Sequence, residues 1–150
     1  MKVNFYERVD DDLLKFAVIV SMYHNQWVFC KHKQRDTYEV PGGHREVGEV
    51  ILATAKRELF EETGAMEFDI KPICVYSVQG RNAVVDNEEE TYGMLYFANI
   101  TAFQKLPDFE MEKVALFDDL PSELTYPLIQ PKLMDKVMSV VIPLQNALHL

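Results

Sequence analysis

Along the first third of the chain the apolar positions recur with the period of an extended strand. Phe16, Val18 and Val20 alternate within residues 15–23, the pattern of a strand with one face buried. His24-Asn25-Gln26 supplies a turn, and residues 27–33 read as a second strand. Residues 37–40 are extended until Pro41-Gly42-Gly43 breaks them. The composition then changes: residues 50–63 are rich in Ala, Leu, Glu, Lys and Arg and end at Gly64, which predicts a helix. Residues 70–79 and 91–100 predict two more strands, separated by a polar loop carrying Asp86-Asn87-Glu88-Glu89-Glu90, and a short strand follows at 113–117. Pro131 suits a first helical turn and opens a second helix to about Met138. Strands, one helix, more strands and a late helix describe a mixed α/β sandwich, not a regular βαβ alternation. No repeat, low-complexity tract or linker interrupts the pattern, so residues 1–150 are read as a single domain.

Composition changes this picture little. Hydrophobic residues make up 48% and charged residues 26% of the 150 positions, as in ordinary globular chains. No run reaches the roughly 18 apolar residues of a membrane helix, and the amino terminus lacks the apolar core of a signal peptide. Cys30 and Cys74 are too few and too far apart for a disulfide framework or a zinc site, so they read as reduced thiols of a cytoplasmic domain. The net charge of −9 opposes extended nucleic-acid binding, which draws its affinity from cationic side chains. It also opposes a polyphosphate ligand, unless the excess carboxylates hold divalent cations that bridge protein and phosphate.

The chemistry-bearing stretch is 43–65. Glu58, Glu61 and Glu62 lie at i, i+3 and i+4, so a helix sets all three carboxylates on one face. Their repulsion costs a few tenths of a kcal/mol per pair, and they occupy the last turn, where the helix dipole disfavours anions. Converging carboxylates of this kind suit a hard cation, Mg²⁺ or Mn²⁺; they equally describe a solvated acidic face. The preceding Gly42, Gly43 and Gly48 favour the first reading, because they let a ligand or metal approach the main chain. Leu52, Ala55 and Leu59 would anchor the helix on a neighbouring face. Arg57 stands four residues before Glu61, and Glu49 sits at the helix start, where the dipole favours it.

Gly43-x5-Glu49-x7-Arg57-Glu58-Leu59-x-Glu61-Glu62-x-Gly64-Ala65 resembles the Nudix box, GX5EX7REUXEEXGU, with all seven fixed positions present. Coincidence at ordinary residue usage is on the order of one in a million. Ala65 departs from the bulky aliphatic residue usual there, which affects packing after the helix and no catalytic position. The resemblance implies the Nudix α/β/α sandwich with a mixed sheet and a loop-helix motif. It implies Mg²⁺-dependent hydrolysis of a phosphoanhydride, with Mn²⁺ as the alternative ion. Glu58, Glu61 and Glu62 would be the metal ligands with the main-chain carbonyl of Gly42, while Gly43, Glu49, Arg57 and Gly64 would brace the loop and helix. A further glutamate beyond the box commonly binds metal or activates water; Glu110 is the first candidate and Glu112 the second, and both would otherwise be rim charges.

Substrate choice lies outside the box. Markers that resemble those of ADP-ribose and dinucleoside-polyphosphate hydrolases would fall near Arg81 and Asn82, and neither the proline nor the tyrosine they require is there. The resemblance therefore leans to MutT-type enzymes, which convert a (d)NTP, including oxidised purines such as 8-oxo-dGTP, to monophosphate and pyrophosphate. RNA 5′-pyrophosphohydrolases and ADP-ribose or nucleotide-sugar hydrolases are the alternatives. A non-catalytic nucleotide sensor is the competing class, though such domains usually lose the box carboxylates, which are intact here. The expected partner is a small-molecule nucleotide. His44 and Arg81 are candidate phosphate contacts, Glu88-Glu89-Glu90 a candidate further metal ligand, and Tyr6, Phe16 and Tyr76 candidate base-stacking residues. Each has an ordinary reading as surface or core. The apolar tail 140–150 would cover the sheet or pack on a second subunit of a homodimer.

Overall fold

Tyr23 and Gln26 face each other across a two-residue turn in which His24 and Asn25 have φ of 47° and 66°. That left-handed pair matches the twist of the flanking strands. In the computed structural model, which describes residues 1–80 and 89–148 and side chains as far as Pro143, the turn joins β2 (Leu14–Tyr23) to β3 (Gln26–His32). β1 (Lys2–Tyr6) precedes them, and β4 (Tyr38–Glu39), β5 (Gly42–His44) and α1 (Ile51–Thr63) follow. Then come β6 (Ala65–Gln79), β7 (Thr91–Phe103), β8 (Met111–Phe117) and α2 (Gln130–Leu148).

The strands form one mixed sheet in the order β1-β6-β7-β2-β3-β4, with β5 paired to β2 and β8 to β3. β2 and β7 run parallel, and the other pairs are antiparallel. Alternation sorts the side chains to two faces. Ala17, Ile19, Val28, Tyr96, Ala98 and Ile100 meet Ala55 and Leu59 of α1. Val20, Phe29, Leu95 and Phe97 meet Leu133, Met134, Val137 and Val141 of α2. Helices thus cover both faces of the sheet, the α/β/α sandwich expected.

The structure corrects several expectations. β1 is an additional strand, and its Val3 and Phe5 pack on the α2-side core. β6 begins at Ala65, because Gly64 turns the chain in the left-handed conformation (φ 79°) and closes α1 through its N–H to the Phe60 carbonyl, 2.8 Å. β6 accommodates Pro72 where only β7 is its neighbour, since β1 pairs with residues 75–79 alone. α2 runs ten residues past Met138 and contains Pro143; Val141 continues the core-facing row of Leu133, Met134 and Val137, so the start of the tail covers the sheet. On α1, Leu52 is 39% exposed, and Ile51 packs with Ala55 and Leu59 instead. The helix therefore presents residues 51, 55, 59 and 62 inward: Ala55 and Leu59 anchor it as expected, and Ile51 takes the place expected of Leu52.

A single row of residues crosses four strands. Tyr76, Gly93, Phe16 and His44 are successive partners on β6, β7, β2 and β5. A Cβ on Gly93 would lie 2.2 Å from the Phe16 ring. The missing side chain lets Phe16 lean over β7 toward Tyr76, with ring centroids 5.5 Å apart.

Candidate active site

The last two turns of α1 carry Glu58, Glu61 and Glu62 to a cavity of about 390 Å³, whose other walls are Gly43, His44, Arg45, Glu46, Arg57, Phe109 and Glu110. The loop and helix are tied together by Arg57. Its Nε donates to Glu49 Oε2 (2.8 Å) and its Nη2 to Glu49 Oε1 (3.0 Å), a two-pronged pair. The same guanidinium donates to Glu58 Oε1 (2.7 Å), Glu61 Oε2 (3.4 Å) and the His44 carbonyl (3.0 Å). The i,i+4 pair with Glu61 exists, but Glu49 is the principal partner. Glu49 also accepts from Thr54 Oγ1 (2.5 Å) and the Glu46 amide (3.2 Å), so it closes the loop instead of capping the helix dipole. Arg45, which no sequence motif marks, ties the loop to the entry of β2 through Asp11 and the Leu14 carbonyl.

The glycines have specific tasks. A Cβ on Gly43 would meet the Glu58 carboxylate at 2.3–2.7 Å, and one on Gly42 would meet the Ala17 carbonyl at 2.6 Å. The Glu58 carboxylate therefore lies directly against the loop backbone, a closeness only glycine allows. The Gly42 amide donates to Glu62 Oε1 at 2.7 Å.

Glu62 is 7% exposed and has no cationic partner among the described residues. Burial pushes its carboxyl up to about 9, against the Gly42 hydrogen bond, with Glu58, Glu39 and Glu110 adding repulsion. Burial also raises Glu58, against the opposing effect of Arg57. The pair with Arg57 and the hydroxyl of Thr54 lower Glu49 to about 2. A buried carboxylate, repelled by its neighbours and without a cation of its own, has a charge that a hard cation would complete. The donor set fits Mg²⁺, even though no three His, Cys, Asp or Glu side chains among the described residues stand in ligating geometry; Arg57 draws Glu58 and Glu61 to itself.

These shifts fix a pH dependence for the chelator-treated protein. From about 4.5 to about 9 the folded state keeps a proton on Glu62 that the unfolded chain has released, so rising pH favours unfolding. Glu49 acts oppositely, stabilising above about 4.5 and losing its contribution as pH falls toward 2. The thermal midpoint in EDTA is expected to fall from pH 5 to pH 9, and Glu62→Gln should flatten that slope. Equal slopes in the two proteins would show that Glu62 is not the group responsible.

A second cavity, of about 210 Å³, adjoins the first and shares Gly43 and His44 with it. Phe16, Val18, Tyr76, Val78, Ile129 and Leu133 form its apolar walls, and Glu39, Tyr126 and Gln130 are its polar ones. Of the three aromatic candidates, Phe16 and Tyr76 therefore stand where a base could stack, and His44 lies edge-on to Phe16 at 6.3 Å. Tyr6 is elsewhere: with Ser77 it donates to Glu90 Oε1, which separates Glu90 from the box carboxylates. Arg81, Asn82 and Glu88 lie outside the described residues. Glu110 lines the carboxylate cavity, whereas Glu112 is held by Lys31 Nζ at 2.5 Å and does not line it. Sequence reasoning misses Glu39 and Gln130, since nothing local in either segment marks it as a cavity wall. Cys30 and Cys74 are both free thiols, and no helix among the described residues is long and apolar enough to cross a membrane.

Comparison with known proteins agrees with this geometry. Residues 13–137 match the NUDIX domain family. The chain is 31% identical over 126 residues to the putative 8-oxo-dGTP diphosphatase YtkD of Bacillus subtilis (strain 168), covering 83% of this chain and 75% of that protein. Its fold is similar to the crystal structure of a point mutant of the Bacillus subtilis pyrophosphohydrolase BsRppH, with TM-score 0.74, 25% identity, and 93% and 91% of the two chains covered. It also resembles a NUDIX hydrolase from Nitrosomonas europaea, with TM-score 0.67, 19% identity, and 84% and 89% covered. With the intact box folded around its carboxylate cavity, the chain belongs to the Nudix family and is a hydrolase of phosphoanhydride bonds in nucleotides.

Proposed function

We propose that this hydrolase converts a nucleoside triphosphate to the monophosphate and pyrophosphate, using Mg²⁺ (or Mn²⁺) held by Glu58, Glu61, Glu62 and the main-chain oxygen of Gly42. The observation that carries this reading is the junction of the two cavities at Gly43 and His44. One is apolar and aromatic, of a size for a base; the other is ringed by carboxylates, suited to a metal-bound phosphate chain. A nucleotide laid across the junction puts its anhydride beside Glu58, Glu61 and Glu62. The name of the relative at 31% identity, a putative 8-oxo-dGTP diphosphatase, supports an oxidised purine triphosphate among the substrates.

When bound, Mg²⁺ supplies neutralisation of the phosphate oxygens and lowers the pKa of water. Arg57 and Gly43 hold the Glu58 carboxylate in place, and Arg57 orients Glu61. Glu110, which lines the same cavity, accepts the proton of the attacking water. The water oxygen bonds to phosphorus as the bridging P–O bond between the α and β phosphates breaks, and the two products, monophosphate and pyrophosphate, separate.

The test is product analysis after incubation with Mg²⁺ and ordinary or oxidised dNTPs, ADP-ribose, a nucleotide sugar and a 5′-triphosphorylated RNA. Monophosphate with pyrophosphate from a triphosphate is the expected result. Turnover restricted to ADP-ribose, the nucleotide sugar or RNA would keep the family chemistry and refute the triphosphate assignment.

A further inference from the structure

Three acids alternate along residues 108–112, and the fold treats them differently. Asp108 Oδ1 accepts from Lys33 Nζ at 2.6 Å, and Glu112 Oε2 accepts from Lys31 Nζ at 2.5 Å. Glu110, between them, has no cationic partner and no side-chain hydrogen bond among the described residues, and it lines the carboxylate cavity. Both lysines belong to one short stretch, the end of β3 and the residue that follows it. Lys33 also donates its backbone N–H to the Glu110 carbonyl at 3.0 Å. Residue 110 is thus held through its main chain, and its carboxylate is left uncommitted.

The ladder between β3 and β8 breaks at this point. Lys31 pairs with Lys113 and His32 with Met111, so Glu112 is an extra residue on β8, a β-bulge. An unbroken ladder would set Glu112 opposite His32, and Met111 opposite Lys33. Cys30 stands opposite Val114 of the α1-side core, and Lys31 opposite Tyr38 of the α2-side core. By alternation His32 belongs to the α1 side, the side of the box carboxylates. The bulge therefore gives that position to Met111, 4% exposed, and leaves Glu112 to Lys31. The Lys31 side chain is 14% exposed, and its ammonium also donates to the His32 carbonyl at 3.3 Å. One cation grips both strands where the register changes. The Lys33–Asp108 pair is far more open, at 46% and 94%, and pairs of that kind contribute little.

We propose that Lys31 is a positioning residue for the hydrolysis: by holding the bulge at Glu112 it keeps Glu110, and not Glu112, at the carboxylate cavity. Bulges bend the strand that carries them and re-aim side chains beside active sites, and Glu110 lies two residues before this one. The proposal rests on the reading of Glu110 as the acceptor of the water's proton. Lys31 lines neither cavity, so it acts on the reaction only through the segment it grips. Without Lys31, Glu112 gains a competing register in which it turns to the side of Glu58, Glu61 and Glu62. Residue 110 would then move one position along, from Lys33 to Gln34. The burial of Met111 opposes that slip, so losing Lys31 has a partial effect, not a complete one.

The test is steady-state kinetics, with Mg²⁺ and a nucleotide the parent turns over, on Lys31→Met, Lys31→Arg, Glu110→Gln and the double variant Lys31→Met/Glu110→Gln. Met fills the place of the buried lysine stem. Lys31→Met is expected to lower kcat roughly 10-fold, short of the 10²-fold that about 1 Å of misplacement costs, and to leave KM unchanged. Lys31→Arg should restore most of the loss, since the contact asks for a charge and a donor, not for a planar fork. The double variant decides: once Glu110 is replaced, Lys31→Met should cost nothing more, because residues that act through one another are not additive. A loss that persists in the Glu110→Gln background overturns the proposal, as does an unchanged kcat in Lys31→Met. Should Lys31→Met fail to fold, Glu112→Gln, altered at the exposed partner, carries the same comparison. In the metal-free protein the Lys33 amide, bonded to the Glu110 carbonyl, should lose hydrogen-exchange protection when Lys31 is replaced; full protection overturns the proposal too. Glu110→Gln alone should lose roughly 10²–10⁴-fold in kcat. Full activity there removes the role of Glu110 from the proposed function, whereas a loss there without coupling to Lys31 removes this inference alone.

Discussion

Glu62→Gln is expected to reduce turnover by roughly 10²–10³-fold, the cost of removing one preorganised electrostatic contact to the transition state, while leaving the fold intact. The change removes a charge and little else. Gln keeps an oxygen for the Gly42 amide, which lies 2.7 Å from Glu62 Oε1, and resembles the protonated carboxyl that burial already favours. Without metal the variant should melt no lower than the parent at pH 7, since it no longer has to gain a proton on folding. With Mg²⁺ the order should reverse, because binding to the folded state raises its stability and the variant has lost a ligand. Scanning calorimetry with EDTA and with Mg²⁺, beside a rate assay, checks all three points. A variant that loses activity and also melts well below the parent in EDTA would recast Glu62 as structural.

Replacing Arg57 should have the largest effect on stability. Its guanidinium, with 23% side-chain exposure, meets Glu49 and Glu58, each at 13%. Arg57→Ala leaves both largely buried carboxylates without a cationic partner, costing about 3 kcal/mol, the low end for breaking such a pair. For a chain of this size that lowers the thermal midpoint by roughly 6–12 °C. Arg57→Lys should recover part of the loss, because an ammonium supplies charge without the planar fork that engages both Glu49 oxygens. Glu49→Gln combined with Arg57→Ala should destabilise less than the sum of the two single changes, as expected for groups in one network. Additive losses would mean that the pair does not act as a unit.

The box is legible in the sequence because its information is local. A 3.6-residue period is enough to bring Glu58, Glu61 and Glu62 to one side of a helix, and Gly64 states where that helix ends. The edge of the apolar face is less legible than its centre at Ala55 and Leu59: Leu52 and Ile51 are similarly hydrophobic, and only the sheet beneath decides which is buried. β5 cannot be read from Gly42–His44, whose strand character comes from pairing with β2. The apolar cavity is least visible. Glu39 and Gln130 are distant in sequence and come to line one cavity because β4 pairs with β3, Tyr38 bridges to Leu124, and the next turns lead into α2. Tyr76 and Phe16 are identifiable as aromatic, but that a glycine stands between them depends on register across three strands.

The parallel pairing of β2 with β7 divides the sheet into two antiparallel ribbons, and the apolar cavity straddles that seam. Phe16 and Val18 stand on one side of it, Tyr76 and Val78 on the other. Bringing two segments so far apart in sequence into register carries a loop-closure cost that neither ribbon bears alone. A base seated between those walls would be expelled by any opening of the seam, and so would act as a clamp. Saturation would deepen the closed state by RT ln(1 + [L]/Kd), and hydrogen exchange along β2 and β7 would slow before exchange at the outer strands.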